Sequence, residues 1–310
     1  MQTSSTQSDP STRCSSKWFT TDPAGLHFYT GLHDYNRFKF VLNTLGTAAY
    51  HLNYYNGQTP SLPVEDQFLL TLLKLRRNTT HFELCRLFDL NKNSISNIFI
   101  TWINFMASVW GEVNWWPSRD LVSYYCPRSF KQQFPSTRVI VDGTECPIQR
   151  PKQPIAQQAT FSTYKNQNTV KVLVGITPGG LVSYISPAYG GSASDRQICE
   201  RSELPGSCDP GDSIMADKGF NVQDMFDHDM VTVNIPTFFK KKNRLSGKTV
   251  VRDRKIASKR VHVERVIGLA KTFKILKKPM SNTESALATQ IIRVCFYLCN
   301  FRSSIVPNDA

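Results

Sequence analysis

Three carboxylates define the chemistry this chain could perform: Asp142 in VIVDGTE, Asp217 in IMADKGF and Glu264 in RVHVERVIG. The first two follow the short runs Val139-Ile140-Val141 and Ile214-Met215-Ala216, which read as buried strands, and the third lies in a long helical pattern. A carboxylate at the end of a buried strand is costly unless a cation meets it, and several gathered together repel one another. Divalent ions with oxygen ligands relieve both problems, so the set points to Mg²⁺ or Mn²⁺. Two such ions, about 3.5 to 4 Å apart, would serve phosphodiester cleavage by stabilising charge on the attacking and leaving oxygens. In that scheme Asp142 bridges the ions, Asp217 holds one and Glu264 the other. Each acid also has a plain structural reading: Asp142 capping a turn with Gly143-Thr144, Asp217 doing so with Lys218-Gly219, and Glu264 pairing with Arg260 one helical turn earlier. Asp195 in GGSASDR and Glu145 in DGTE are further acids near the same elements. Either could assist a metal, but capping a helix or turn is the role expected of them.

A basic run immediately before Glu264 tips the reading toward a polyanion. FKKKNRLSGKTVVRDRKIASKR places Lys240, Lys241, Lys242, Arg244, Lys248, Arg252, Arg254, Lys255, Lys259 and Arg260 against Asp253 alone. It suits a phosphate track and could double as a nuclear localisation signal. The whole chain of 310 residues agrees, with 37 Lys and Arg against 24 Asp and Glu and a net charge of +13. Double-stranded DNA is the expected partner. No stretch of 18 uncharged apolar residues occurs and the N-terminus is polar, so no membrane partner is expected and the chain reads as soluble and intracellular. The eight cysteines form no CxxC pair, the six histidines no HExxH, and no nucleotide-binding glycine loop is present. Thiol-bound zinc and ATP-driven chemistry are therefore not expected.

The elements that must position these groups fall into five stretches. Residues 1–24, rich in Ser, Thr, Gln and Pro, read as a disordered tail, and 25–60 as an N-terminal helical segment. Residues 61–118 read as a helix-turn-helix region. Phe68, Leu69, Leu72, Leu73 and Leu75 mark one helix; Thr80 to Phe88, with Phe82, Leu84, Cys85 and Leu87 as its apolar positions, a second; and Ile95, Ile98, Phe99, Trp102 and Ile103 a third, capped by Asn93 or Ser94. Lys92, Asn93, Ser94, Ser96 and Asn97 would then approach the DNA major groove. Residues 119–135 read as a connector and 136–303 as a sheet-containing domain. Expected strands are Arg138 to Val141, Thr169 to Ile176, Leu181 to Ser186, Ile214 to Ala216 and Val231 to Ile235. Expected helices run from Asp195 to about Glu200, Val222 to Asp229 and Arg254 to Thr272. That order predicts an α/β fold with a ribonuclease-H-like mixed sheet, helices on both faces, and a small all-helical region before it.

The blocks VIVDGTECPI, YKNQNTVKVLVGITPGGLVSYISPAYGGSASDRQI, IMADKGF, NIPTF and KIASKRVHVERVIGLAKTFKIL together resemble the DDE endonuclease domain of Harbinger-type and related insertion-sequence-type transposases. LPVEDQFLLTLLKLRRNTTHFELCRLFDLNKNSISNIFITW is similar to the helix-turn-helix that accompanies it. The resemblance implies a nuclease core, divalent-metal dependence and a triad falling on Asp142, Asp217 and Glu264. It also implies end recognition by the helical region or by a separate DNA-binding partner protein, because the zinc-binding module of some relatives has no counterpart here. Self-association is compatible with it. A domesticated DNA-binding protein without catalysis is the alternative.

Overall fold

The computed structural model describes residues 14–227, 230–237 and 246–307, and the chain divides into two compact units, 1–105 and 106–310. In the first unit Asp22 and Asp34 cap α1 (Pro23–Thr30) and α2 (Tyr35–Asn43) by accepting from the backbone N–H of Gly25 and Arg37. Helix α3 (Val64–Arg77) starts behind Pro63, and all five of its expected apolar positions are buried. Helix α4 (His81–Phe88) begins in a Thr80–Glu83 capping box and ends on Asp89, whose φ of 51° lies in the left-handed region that a short polar side chain tolerates.

Helix α5 (Lys92–Gly111) then starts from Asn91, whose Oδ1 accepts from the Ser94 N–H at 2.8 Å. The cap is thus Asn91 rather than Asn93 or Ser94, because the left-handed residue completes the turn sooner. A further correction concerns α4. An eight-residue helix turns only one narrow stripe inward, so Leu84 and Phe88 are buried while Phe82 and Leu87 face solvent.

The second unit opens with two short helices in the expected connector, α6 (Arg119–Tyr125) and α7 (Arg128–Gln133). It continues with β1 (Thr137–Pro147), α8 (Pro154–Thr160), β2 (Phe161–Ser162), β3 (Gln167–Ile176), β4 (Val182–Ile185) and β5 (Tyr189–Gly190). Then come α9 (Asp195–Glu200), α10 (Leu204–Ser207), β6 (Ser213–Met215), β7 (Thr232–Asn234), α11 (Gly247–Ala270), α12 (Asn282–Ala286) and α13 (Ala288–Asn300). The strands form one mixed sheet in the order β4-β3-β1-β6-β7, with β2 and β5 also pairing the outer edge of β3. Strand β3 is antiparallel to β1 and β4, whereas β6 runs parallel to β1 and β7 parallel to β6. This is the ribonuclease-H-like sheet expected from the sequence, with helices flanking it.

Alternation along β1 assigns its side chains to two faces. Val139 and Val141 join Ile214, Ala216 and Val233 in a core closed by Ile198, Leu204 and Phe226. Ile140 points the other way, level with Ile176 of β3 and toward the side that α11 covers. Three sequence expectations are revised. Strand β1 continues past Val141 to Pro147 because β3 pairs with it throughout. The helix expected over 222–229 is a 3₁₀ turn, Gln223–Met225, with 228–229 outside the described residues. Helix α11 begins at Gly247, seven residues early, because Ser246 caps it by accepting from Thr249 N–H, and it ends at Ala270. The cysteines are free and six of the eight are buried. Among the described residues no helix is long and apolar enough to cross a membrane.

Candidate active site

Strand register places two of the three carboxylates side by side. In the parallel β1–β6 pair Ile140 lies opposite Met215, and Asp142 and Asp217 each stand two residues further along. Because side chains alternate, both point to the face that carries Ile140 and Met215. They differ in footing. Asp142 lies inside β1, opposite Val174 of β3, while β6 has ended before Asp217. The Asp217 carbonyl instead accepts from Phe220 N–H at 2.9 Å, in a turn. The first aspartate is therefore mid-strand rather than at a strand tip. Both stand just past Ile140 and Met215, the last paired residues of parallel β1 and β6.

Helix α11 supplies the third acid from the same face, and with it a cation. Its apolar residues Ile256, Val263, Val266, Ile267 and Ala270 are buried, which turns Arg260 and Glu264 toward the strand ends. The Arg260 guanidinium reaches all three acids: Nη1 lies 3.0 Å from Asp217 Oδ1, and Nη2 lies 3.7 Å from Asp142 Oδ1 and 3.5 Å from Glu264 Oε1. Two of these distances exceed a hydrogen bond, and the buried Nε has no hydrogen-bond partner among the described residues. The guanidinium supplies charge to the site without fitting it closely. Asp142 is the least exposed of the acids, its side chain 24% accessible against 58% for Asp217 and 54% for Glu264. Burial pushes its carboxyl up from 3.8 to about 6, opposed by Arg260 and reinforced by the charge of Asp217.

Among the described residues no group of three or more His, Cys, Asp or Glu stands close enough to hold a metal ion. The spacing is that of a guanidinium. The donor type nonetheless fits a hard cation: three carboxylates from three elements surround one positive group, and their oxygens are the ligands Mg²⁺ or Mn²⁺ prefer.

The auxiliary acids lie elsewhere. Asp195 opens α9 behind a Ser194–Gln197 capping box and pairs with Lys171 Nζ at 2.9 Å. It abuts Gly143, where an added Cβ would come within 2.5 Å of its Oδ1, and Gly143 occupies the sheet face opposite to Asp142. Glu145 accepts from the Thr169 hydroxyl at 2.7 Å, on that opposite face too. Asp195 thus stands in the first turn of a capped helix with a lysine partner, and Glu145 sits in a cross-strand hydrogen bond rather than at a cap.

The basic run divides. Lys248, Arg252, Arg254 and Lys255 are exposed along the start of α11, while Asp253, its single acid, accepts from the backbone N–H and hydroxyl of Thr237 and ties the chain after β7 to the helix. Lys240, Lys241, Lys242 and Arg244 lie outside the described residues. Lys259 departs from the expected phosphate track. It is buried with its Nζ bonded to the Ser129 hydroxyl and set against the Phe130 ring, and burial lowers its pKa. Arg260 faces carboxylates rather than solvent. His262 is buried with Nδ1 3.0 Å from the Pro178 carbonyl.

In the first unit Lys92 and Asn93 are exposed and Ser94 and Ser96 half-buried at the start of α5. Asn97 is buried instead, its Oδ1 accepting from Asn56 N–H and its Nδ2 donating to the Gln58 carbonyl, so it braces a loop. Helical spacing gave no signal for this, because positions two apart such as Ile95 and Asn97 do not share a helix face. What the sequence could not supply was that Arg260, noted only as a partner for Glu264 or for phosphate, serves all three acids at once.

Residues 60–110 match the family described as helix-turn-helix of DDE superfamily endonuclease. No curated protein and no solved structure matches the chain. Residues 141–300 match the family described as DDE superfamily endonuclease, which takes in β1 from Val141 through α13, and the chain belongs to that family.

Proposed function

We propose that this protein is a metal-dependent DNA endonuclease of the Harbinger type, acting in the nucleus and able in principle to transfer the strand it frees. The observation that carries this reading is the convergence of Asp142, Asp217 and Glu264 on a single positive group just past the β1–β6 parallel pairing. In place of that group, Asp142, Asp217 and Glu264 would hold Mg²⁺ or Mn²⁺. When bound, the ions would stabilise charge on the attacking and leaving oxygens of the phosphodiester.

The rest falls to the protein's own side chains. Asp142 gives a fixed reference within the sheet. Arg260 must leave the carboxylates for cations to enter, and a DNA phosphate offers its guanidinium another anionic partner. Lys248, Arg252, Arg254 and Lys255 would follow the DNA backbone. End choice would rest on Lys92, Asn93, Ser94 and Ser96 or on a separate DNA-reading protein.

Incubation of purified protein with labelled duplex DNA, with and without Mg²⁺ or Mn²⁺, tests the reading. Nicking should require a divalent ion and should fall more than about a hundredfold in Asp142→Asn and in Glu264→Gln, since each removes a ligand from the charge-stabilising set. Tight binding with no nicking under either ion would replace it with the domesticated, non-catalytic reading. Nuclear targeting is checked by imaging a variant with Lys240, Lys241 and Lys242 replaced by Ala, which should lose nuclear accumulation.

A further inference from the structure

A second feature of the sheet domain lies away from the carboxylates. From Cys146 to Ser194 the chain has no Asp or Glu and carries Arg150, Lys152, Lys165 and Lys171. Part of that stretch folds into an open cleft of about 810 Å³ under α8, a volume within the usual range for small-molecule sites. Its floor is built. Arg150 donates from Nε and Nη2 to Gln157 Oε1 at 3.0 and 2.7 Å, and Asn168 Nδ2 donates at 2.9 Å to both the Gln157 carbonyl and the Thr160 hydroxyl. By contrast, the amides of Gln158, Asn166 and Gln167, which line the cleft, make no hydrogen bond among the described residues. Phe161, which lines the cleft, is 40% exposed, and Tyr164, which follows the lining residue Thr163 in the chain, is 83% exposed with Lys165 Nζ 4.6 Å from its ring centroid.

We propose that this cleft binds unpaired nucleotides of a DNA strand leading away from the cut. The proposal rests on the nuclease reading and specifies which part of the substrate is held where. Amides with open donors and acceptors match base edges, and an exposed tyrosine beside a lysine offers a stacking surface. Amides can read base edges in a duplex groove as well, but stacking needs a base whose face is uncovered, which a closed duplex does not present along its length. A duplex track would also call for a denser array of cations than these four. The stretch is positive without being strongly basic, so it tolerates a phosphate backbone while leaving most of the recognition to bases.

The cleft also lies at a usable distance. Pro147, where β1 ends beside it, is five residues past Asp142, about 17 Å along the strand or about five nucleotides at duplex spacing.

The test uses the full chain and two labelled probes, a single-stranded oligonucleotide carrying 5-iodouracil and a duplex of the same sequence. Irradiation of the single strand should produce an adduct that maps to Tyr164 or Phe161. In anisotropy titrations Tyr164→Ala and a Gln158→Ala, Gln167→Ala double variant should each weaken single-strand binding by about tenfold with unchanged thermal melting, as expected for loss of one stacked or edge-bonded base. Adducts confined to other segments, or single-strand affinity equal in all three proteins, would overturn the cleft. Should the protein bind and nick the duplex while the cleft fails these tests, the nuclease reading stands alone. Binding to neither probe removes both.

Discussion

Arg260 brings a positive charge to the place where three carboxylates need one, and two consequences follow at the level of single residues. A divalent ion entering this site must displace the guanidinium, so arginine and metal compete for the same oxygens. Arg260→Gln should therefore raise the Mn²⁺ affinity of the DNA-free protein by about tenfold, equivalent to about 1.4 kcal/mol, as read by electron paramagnetic resonance titration. Affinity that stays equal or falls would show that the guanidinium does not compete. The second consequence concerns pH. With burial holding the Asp142 carboxyl at about 6 against an ordinary 3.8, the folded protein binds that proton more tightly than the unfolded chain does. The resulting stabilisation is fully present below pH 3.8 and is lost as pH rises through about 6, an effect on the order of 3 kcal/mol. Melting of metal-free protein across this window should show the slope, and Asp142→Asn should flatten it. An unaltered slope in the variant would assign the titration to another group.

At the scale of elements, the readily legible pieces were those with one buried stripe. Helix α3, the apolar positions of α5, and the inner face of α11 from Ile256 to Ala270 all stand where helical spacing put them. The β3–β4 hairpin was legible too, since Gly180, at φ 91°, makes a turn that other residues resist. The continuation of β1 through Gly143-Thr144-Glu145 was not, because those residues lack an apolar run and are strand only through the ladder to β3. Helix α8 has no buried residue, so it does not show the one-sided pattern that betrays a surface helix. The site was half legible. Its three acids could be picked out along the chain, but the pairing of Asp142 with Asp217 depends on β1–β6 register, which sequence spacing does not encode. Close approach between elements gives a further prediction. A Cβ at Gly190 in β5 would come within 2.1 Å of the Ala159 carbonyl oxygen in α8, a backbone atom that cannot swing aside. Gly190→Ala should cost about 2 to 3 kcal/mol in chemical unfolding, and a change under about 0.5 kcal/mol, the size of an ordinary surface substitution, would mean that α8 rides freely on the sheet.

For the whole molecule, the net charge of +13 makes binding to a polyanion strongly dependent on ionic strength. Duplex affinity should fall linearly on a log–log plot against salt, and replacing Arg252 and Lys255 together with Ala should reduce the slope by about two, one for each phosphate no longer neutralised. A slope unmoved by the double variant would exclude the start of α11 from the interface. A last consequence follows from the unequal footing of the two aspartates. Asp142 is clamped by neighbours on β3, whereas Asp217 stands on a turn past the end of β6. The pair acts like a calliper with one rigid jaw and one sliding jaw, so that tuning the gap between them falls to residues 216–221 alone. Inherited changes around Asp217 should therefore adjust turnover and ion preference in small steps while leaving the fold intact, and changes around Asp142 should be tolerated rarely, because they disturb the scaffold and the chemistry together.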